Sequence, residues 1–154
     1  MYIIRYKDLN GAVEPERKLV KLSSHNLWRE PTPEGTDDWK PGHEIRSEAF
    51  AISLFMTGTH EILHYHEKTW EIYQVLDGRL KVAVKPFRLA AWEAVSLDIH
   101  DLLLLTPGTF HLVDSTCHHI TQVIQSPSST IADKVVITEQ DEIDAAKKVL
   151  AELA

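Results

Sequence analysis

The stretch GTHEILHYHEKTWEIYQVLDG, residues 58–78, sets His60, His64, His66 and Glu71 among apolar and β-branched neighbours. Imidazole nitrogens and a carboxylate suit divalent first-row transition metals such as Fe, Mn, Ni, Zn or Cu. They are a poor set for Ca2+ or Mg2+, which prefer oxygen ligands. In an extended strand, side chains two apart leave on one face, so His64 and His66 point together with Tyr65 opposite. At a rise of about 3.3 Å per residue their Cα atoms lie roughly 6.5 Å apart. Both rings can then reach one ion at about 2.0–2.2 Å. The alternative is that these histidines are solvated or hydrogen-bonded polar positions on a half-exposed strand.

Other donors must be brought in by the fold. Glu71 stands five residues past His66, an odd offset, and joins the histidines only if the chain turns between them. Glu67-Lys68-Thr69 supplies such a turn, and WEIYQV resumes as strand with Glu71, Tyr73 and Val75 sharing the inward parity. Further on, HDLLLLTPGTFH (100–111) has four leucines that read as a strand buried on both faces. A Pro107-Gly108 break follows, and His111 stands just past it. A closed barrel is one way for His111 to come next to His64 and His66. His60 shares strand parity with His64. With Tyr73 it is a candidate catalytic group, within an aromatic lining of Phe55, Tyr73, Phe110 and Trp70 that suits a small organic molecule. His118 and His119 are adjacent, so at most one faces inward. Arg79 and Lys81 are expected on the outer face.

The elements that must position these groups are mostly strands. YIIRY (2–6) and RKLVKLS (17–23) read as strands, Asn10-Gly11 as a turn, and 29–42, with three prolines and two glycines, as a loop. From residue 48 the texture is one of short strand-like pieces separated by Gly, Pro or Asp: EAFAISLFMTG, TWEIYQVLDG, RLKVAVKP, WEAVSLDI, DLLLLTPG and HHITQVIQS. That pattern predicts an antiparallel sandwich or barrel. SPSST (126–130) is a polar turn cluster. Only 138–154 is helical in pattern, with Ile143, Ala146, Leu150 and Leu153 as an apolar stripe and Thr138 with Asp141 in a capping arrangement.

Bulk properties exclude several partner classes. The chain has 154 residues, 16 basic and 23 acidic, for a formal net charge of −7. It is expected to form one domain with no nucleic-acid or membrane partner and to be cytoplasmic. A single cysteine, Cys117, rules out an intrachain disulfide and is expected to be a small buried apolar side chain. There is no Gly-rich phosphate loop and no nucleophile elbow.

Gly58, five residues, His64, one, His66, four, Glu71, six, Gly78 reproduces the first motif of the cupin superfamily without a mismatch. The second cupin motif resembles HDLLLLTPGTFH at Asp101, Gly108 and His111. His100, Thr106 and Ser115 stand where a glycine, a proline and an asparagine are usual. His100 thus occupies a turn position that calls for positive φ, which His tolerates better than most residues. The resemblance, to a small single-domain RmlC-like cupin, covers about residues 49–126. It implies an all-β fold, a double-stranded β-helix (cupin or jelly-roll barrel) with a C-terminal α-helix. The layout is one domain over 1–154: N-terminal arm and loop 1–48, barrel core 49–126 and helix 138–154. It also implies a homodimer and a metal held by His64, His66, Glu71 and His111. The reaction is left open between a dioxygenase or isomerase type and a small-molecule binding or sensing protein. A metal-free sugar-nucleotide epimerase type is the weaker third.

Overall fold

Period-two burial runs through the strands at 51–56, 70–78, 102–105 and 119–126 and gives each an inner and an outer face. The computed structural model describes residues 2–4, 44–46, 50–114, 116–127 and 133–153. The strands are β1 (Tyr2–Ile4), β2 (Glu44–Arg46), β3 (Ala51–Met56), β4 (His64–His66), β5 (Trp70–Gly78), β6 (Leu80–Lys85), β7 (Glu93–Leu97), β8 (Leu102–Leu105), β9 (Phe110–Val113), β10 (His119–Ser126) and β11 (Lys134–Val136). One helix, α1 (Gln140–Glu152), ends the described chain. The expectations for Asn10-Gly11, 17–23 and 29–42 fall outside the described residues.

Two antiparallel sheets result, a six-stranded one in the order β1-β8-β5-β10-β3-β2 and a five-stranded one in the order β11-β4-β9-β6-β7. The chain crosses between them repeatedly: β3, β5, β8 and β10 lie in the first, β4, β9 and β11 in the second, with the β6–β7 hairpin also in the second. This alternation makes the all-β double-stranded β-helix. The inner faces enclose an apolar core in which Phe55, Tyr73 and Val75 meet Leu80, Val82, Val84, Leu97 and Val113. Each such side chain contributes about 1.5–3 kcal/mol by leaving water. No helix among the described residues is long and apolar enough to cross a membrane.

β6 and β9 are buried on both faces: Ala83, Phe110 and Leu112 lie on the helix side, while Val82, Val84, Val113 and His111 face inward. The four leucines of β8 do not behave this way: Leu103 and Leu105 are buried, Leu102 and Leu104 half-buried. β8 has strand neighbours on both sides, but the helix covers the other sheet. The expectation of two buried faces is corrected accordingly. α1 presses Ala146 and Leu150 onto Leu63, Phe110, Leu112 and Ile137. Its start also differs from expectation. Glu139, not Thr138, is the N-cap, and no side chain caps it. Lys85 adds a polar anchor on the same side, donating to both Glu142 oxygens at 2.7 and 2.9 Å, while Trp92 Nε1 donates to Glu142 Oε2 at 2.7 Å.

Two turns hold the barrel motifs in place. Gly78 has φ +70, and a Cβ there would meet the His118 carbonyl oxygen at 2.0 Å, so only glycine fits this close approach. His100 takes φ 71, the left-handed conformation expected where it replaces a glycine. Its amide donates to the Val75 carbonyl at 2.8 Å, tying the turn before β8 to β5. Cys117 is half-buried rather than an apolar core residue. Its thiol donates to Asp114 Oδ2 at 3.3 Å inside a polar turn.

Candidate metal centre

β4 is only three residues long, and both of its histidines face inward: His64 is 2% and His66 4% exposed, while Tyr65 turns outward to stack on Phe110. The bend at Glu67-Lys68 then sends the chain into β5 in the opposite sheet, where Glu71, Tyr73 and Val75 are all buried as parity requires. His111 arrives on β9, directly opposite His64 in the β4–β9 ladder. The four donors meet: one ligand atom from each of His64, His66, Glu71 and His111 lies within 4.8 Å of the others, and all four residues are buried. Ring centroids of His64 and His111 are 4.3 Å apart, and those of His64 and His66 are 5.1 Å apart.

The outer nitrogens are engaged in ways that aim the inner ones. His64 Nδ1 lies 2.7 Å from the Ile62 carbonyl oxygen, and His111 Nδ1 3.0 Å from that of Thr109. A carbonyl only accepts, so both Nδ1 atoms carry a proton and each Nε2 is the ring nitrogen turned toward the cluster. His66 Nδ1 faces the Asp133 carboxylate at 3.3 Å, and its Nε2 faces Glu71 Oε1 at 3.5 Å. Gln125 Nε2 donates to Glu71 Oε1 at 2.7 Å. Glu71 Oε2 is left 3.0 Å from His111 Nε2 without an aligned hydrogen bond between them.

The electrostatics fit a cation at that point. Burial raises the Glu71 carboxyl, but the charge and contact of His111, with His66, outweigh it and hold it well below the usual range. Burial lowers His111, and the Glu71 carboxylate overrides this and raises it. Burial first, then the charges of His111 and Lys134, push His64 well below its ordinary value, toward the neutral form that ligates metals. A buried carboxylate facing imidazole nitrogens is a donor set suited to a divalent transition ion.

Other expected groups separate from the cluster. Residues 57–63 are not strand, so the parity that put His60 beside His64 does not extend to it; it is half-buried. Tyr73 is 1% exposed and edge-on to both His111 (6.0 Å) and Phe55 (5.7 Å). Phe110 belongs to the helix-side cluster, and Trp70 is 45% exposed, so neither lines the interior. Of the adjacent pair, His119 is buried and His118 exposed. Arg79 pairs with Asp98 at 2.8 Å and Lys81 Nζ donates to the Leu153 carbonyl at 2.8 Å, both on the outer face.

Gln125, Asp133 and Lys134 were not singled out in the sequence. Gln125 could have been: in HHITQVIQS, strand parity from His119 puts Thr121, Val123 and Gln125 on one face. β11, which follows Asp133, is three residues long and carries no such signal.

No protein family and no curated protein matches the chain in sequence. Solved structures do match it. The WlaRB TDP-quinovose 3,4-ketoisomerase from Campylobacter jejuni is 8% identical over 58% of this chain and 71% of its own, with a TM-score of 0.49. QdtA, a sugar 3,4-ketoisomerase from Thermoanaerobacterium thermosaccharolyticum in complex with TDP, is 19% identical over 63% and 72%, with a TM-score of 0.48. A cupin-2 domain containing protein from Shewanella frigidimarina is 18% identical over 53% and 74%, with a TM-score of 0.43. At such scores these proteins' activities carry no weight for this one. The chain's own strand order, its sheet-to-sheet crossings and the motif residues at the crossings define a cupin-type barrel.

Proposed function

We propose that this cupin-type barrel is a metal-dependent enzyme acting on a small polar organic molecule, of dioxygenase or isomerase type. The observation that supports it is the convergence of four buried donors within 4.8 Å, two of them with Nδ1 donated to a backbone carbonyl. In this reading His64, His66, Glu71 and His111 hold the ion. Gln125 orients the Glu71 carboxylate, and Asp133 faces the outer nitrogen of His66. A transition ion bound there would supply Lewis-acid polarisation of a carbonyl or hydroxyl, or oxygen chemistry if it is redox-active. Tyr73, edge-on to His111, and His60 are the proposed catalytic candidates. Tyr73, between His111 and Phe55, joins the cluster to the apolar core on that side. Assembly as a homodimer is part of the same proposal.

The test is elemental analysis of protein purified without added metal, followed by oxygen uptake and product analysis with diols, thiols and keto acids. It is run on the Fe and Zn forms. Stoichiometric transition metal and turnover of one compound class are expected. Oxygen uptake in the Fe form alone indicates a dioxygenase, and turnover without oxygen uptake an isomerase. Metal without turnover selects a binding or sensing role. A folded protein that takes up no transition metal sinks the proposal and leaves the metal-free epimerase type.

A further inference from the structure

β11 brings two more side chains to the histidine face of β4. In their antiparallel ladder Lys134 lies opposite His66, Val135 opposite Tyr65 and Val136 opposite His64. Directly opposed residues leave a sheet on the same face, with Cβ atoms about 4.5–5.5 Å apart. His64 and His66 point into the donor cluster and Tyr65 points away, so Lys134 and Val136 stand on the donor side. Ile137 returns to the other side and is buried against the helix.

These two residues differ from the rest of the interior. Lys134 is half-buried, and Val136 is 41% exposed although the opposed His64 is 2% exposed. Val136 is thus an exposed apolar side chain on the face that carries the donor cluster. The charges there are distinctive too. Lys134 acts on His64, Glu61 acts on His111, and Asp133 sits beside His66. Lys134 is thus a cation on the donor face whose charge bears on His64.

We propose that Lys134 and Val136 form the recognition edge of the site and that the substrate is a small organic acid, its carboxylate held by the Lys134 ammonium and a short carbon chain lying on Val136. The carboxylates of Glu61 and Asp133 nearby disfavour a dianion such as phosphate and leave a single negative charge as the better match. This rests on the proposed function, since it names the substrate class of the same cup.

The test is calorimetric titration of acetate, butyrate and butyramide into the full chain, with and without zinc. Wild type is compared with Lys134→Gln, Lys134→Arg and Val136→Ser. Wild type is expected to bind butyrate about tenfold or more tighter than butyramide. Lys134→Gln erases that preference, Lys134→Arg keeps it, and zinc content is unchanged in both. Val136→Ser erases the preference for butyrate over acetate. Unaltered butyrate affinity in Lys134→Gln overturns the inference, whatever the zinc content, and so does the absence of any carboxylate preference in either form. A wild-type chain that takes up no zinc counts against the metal reading alone. A Lys134-dependent preference in that zinc-free protein still supports the inference.

Discussion

Gln125 and Glu71 face each other across the β10–β5 ladder, the amide donating to Oε1 at 2.7 Å with both side chains buried. The consequence is directional. With Oε1 occupied, Oε2 is the oxygen turned toward His111.

Replacing Gln125 with Leu is therefore expected to loosen the carboxylate without touching a ligand. Metal affinity should fall about 10–100-fold, the range typical of lost outer partners. Gln125→Glu should do at least as much, since two buried carboxylates in contact cannot both stay ionised. Chelator competition reads this directly, and wild-type affinity in Gln125→Leu would refute the positioning role.

His66→Ala should strip the metal while the barrel stays folded, because the apolar core lies on the inner faces beyond the cluster. Added metal should then no longer raise the melting temperature. In wild type, ligand at about a hundred times its Kd adds roughly 2.7 kcal/mol. Retention of stoichiometric metal by His66→Ala would remove His66 from the ligand set.

His119 governs a separate pH dependence. Burial, partly offset by Asp114 and reinforced by His118, lowers it from the ordinary 6.5 to about 4. Between those values the unfolded chain binds a proton that the folded chain refuses. Its contribution is thus full above the unfolded value, declines as pH falls from 6.5 toward 4, and levels off below. The loss across that window is roughly 3 kcal/mol. Urea unfolding of wild type and His119→Leu at several pH values should show a flatter profile for the variant; parallel profiles would contradict the assignment.

The helix anchor gives an asymmetric pair of variants. Glu142→Ala leaves the Lys85 ammonium buried without its carboxylate and should cost about 2 kcal/mol, less than the 3–5 of a fully buried pair because Glu142 is 29% exposed. Lys85→Met keeps the packing on Trp92 and Phe110 and leaves Glu142 its bond from Trp92, so its cost should stay under about 1.5 kcal/mol. Equal losses in denaturant midpoints would show that charge pairing is not what holds α1.

Much of the barrel was legible in the sequence because local rules suffice for it. Alternation placed Glu71, Tyr73 and Val75 on one face, and the glycine replaced by His100 signalled a positive φ that the backbone adopts. What escaped depended on distant partners. The inward run His119, Thr121, Val123, Gln125 is an alternation like any other, and only the register against β5 shows that it ends on Glu71. The leucines of β8 mislead because their hydrophobicity does not reveal which sheet the helix covers. Parity failed at His60 because the chain before His64 bends rather than extends. β2 and β11, three residues each, are too short to show a period.

Glu71 belongs to the six-stranded sheet, whereas His64, His66 and His111 belong to the five-stranded one. An ion gripped by all four is a rivet through both halves of the sandwich. Prying the halves apart means releasing it, so occupancy would slow the opening of the barrel far more than it hastens closing. Amides of β4, β5 and β9 would exchange with solvent on the timescale of ion escape, making the centre a clock for how long the protein lasts.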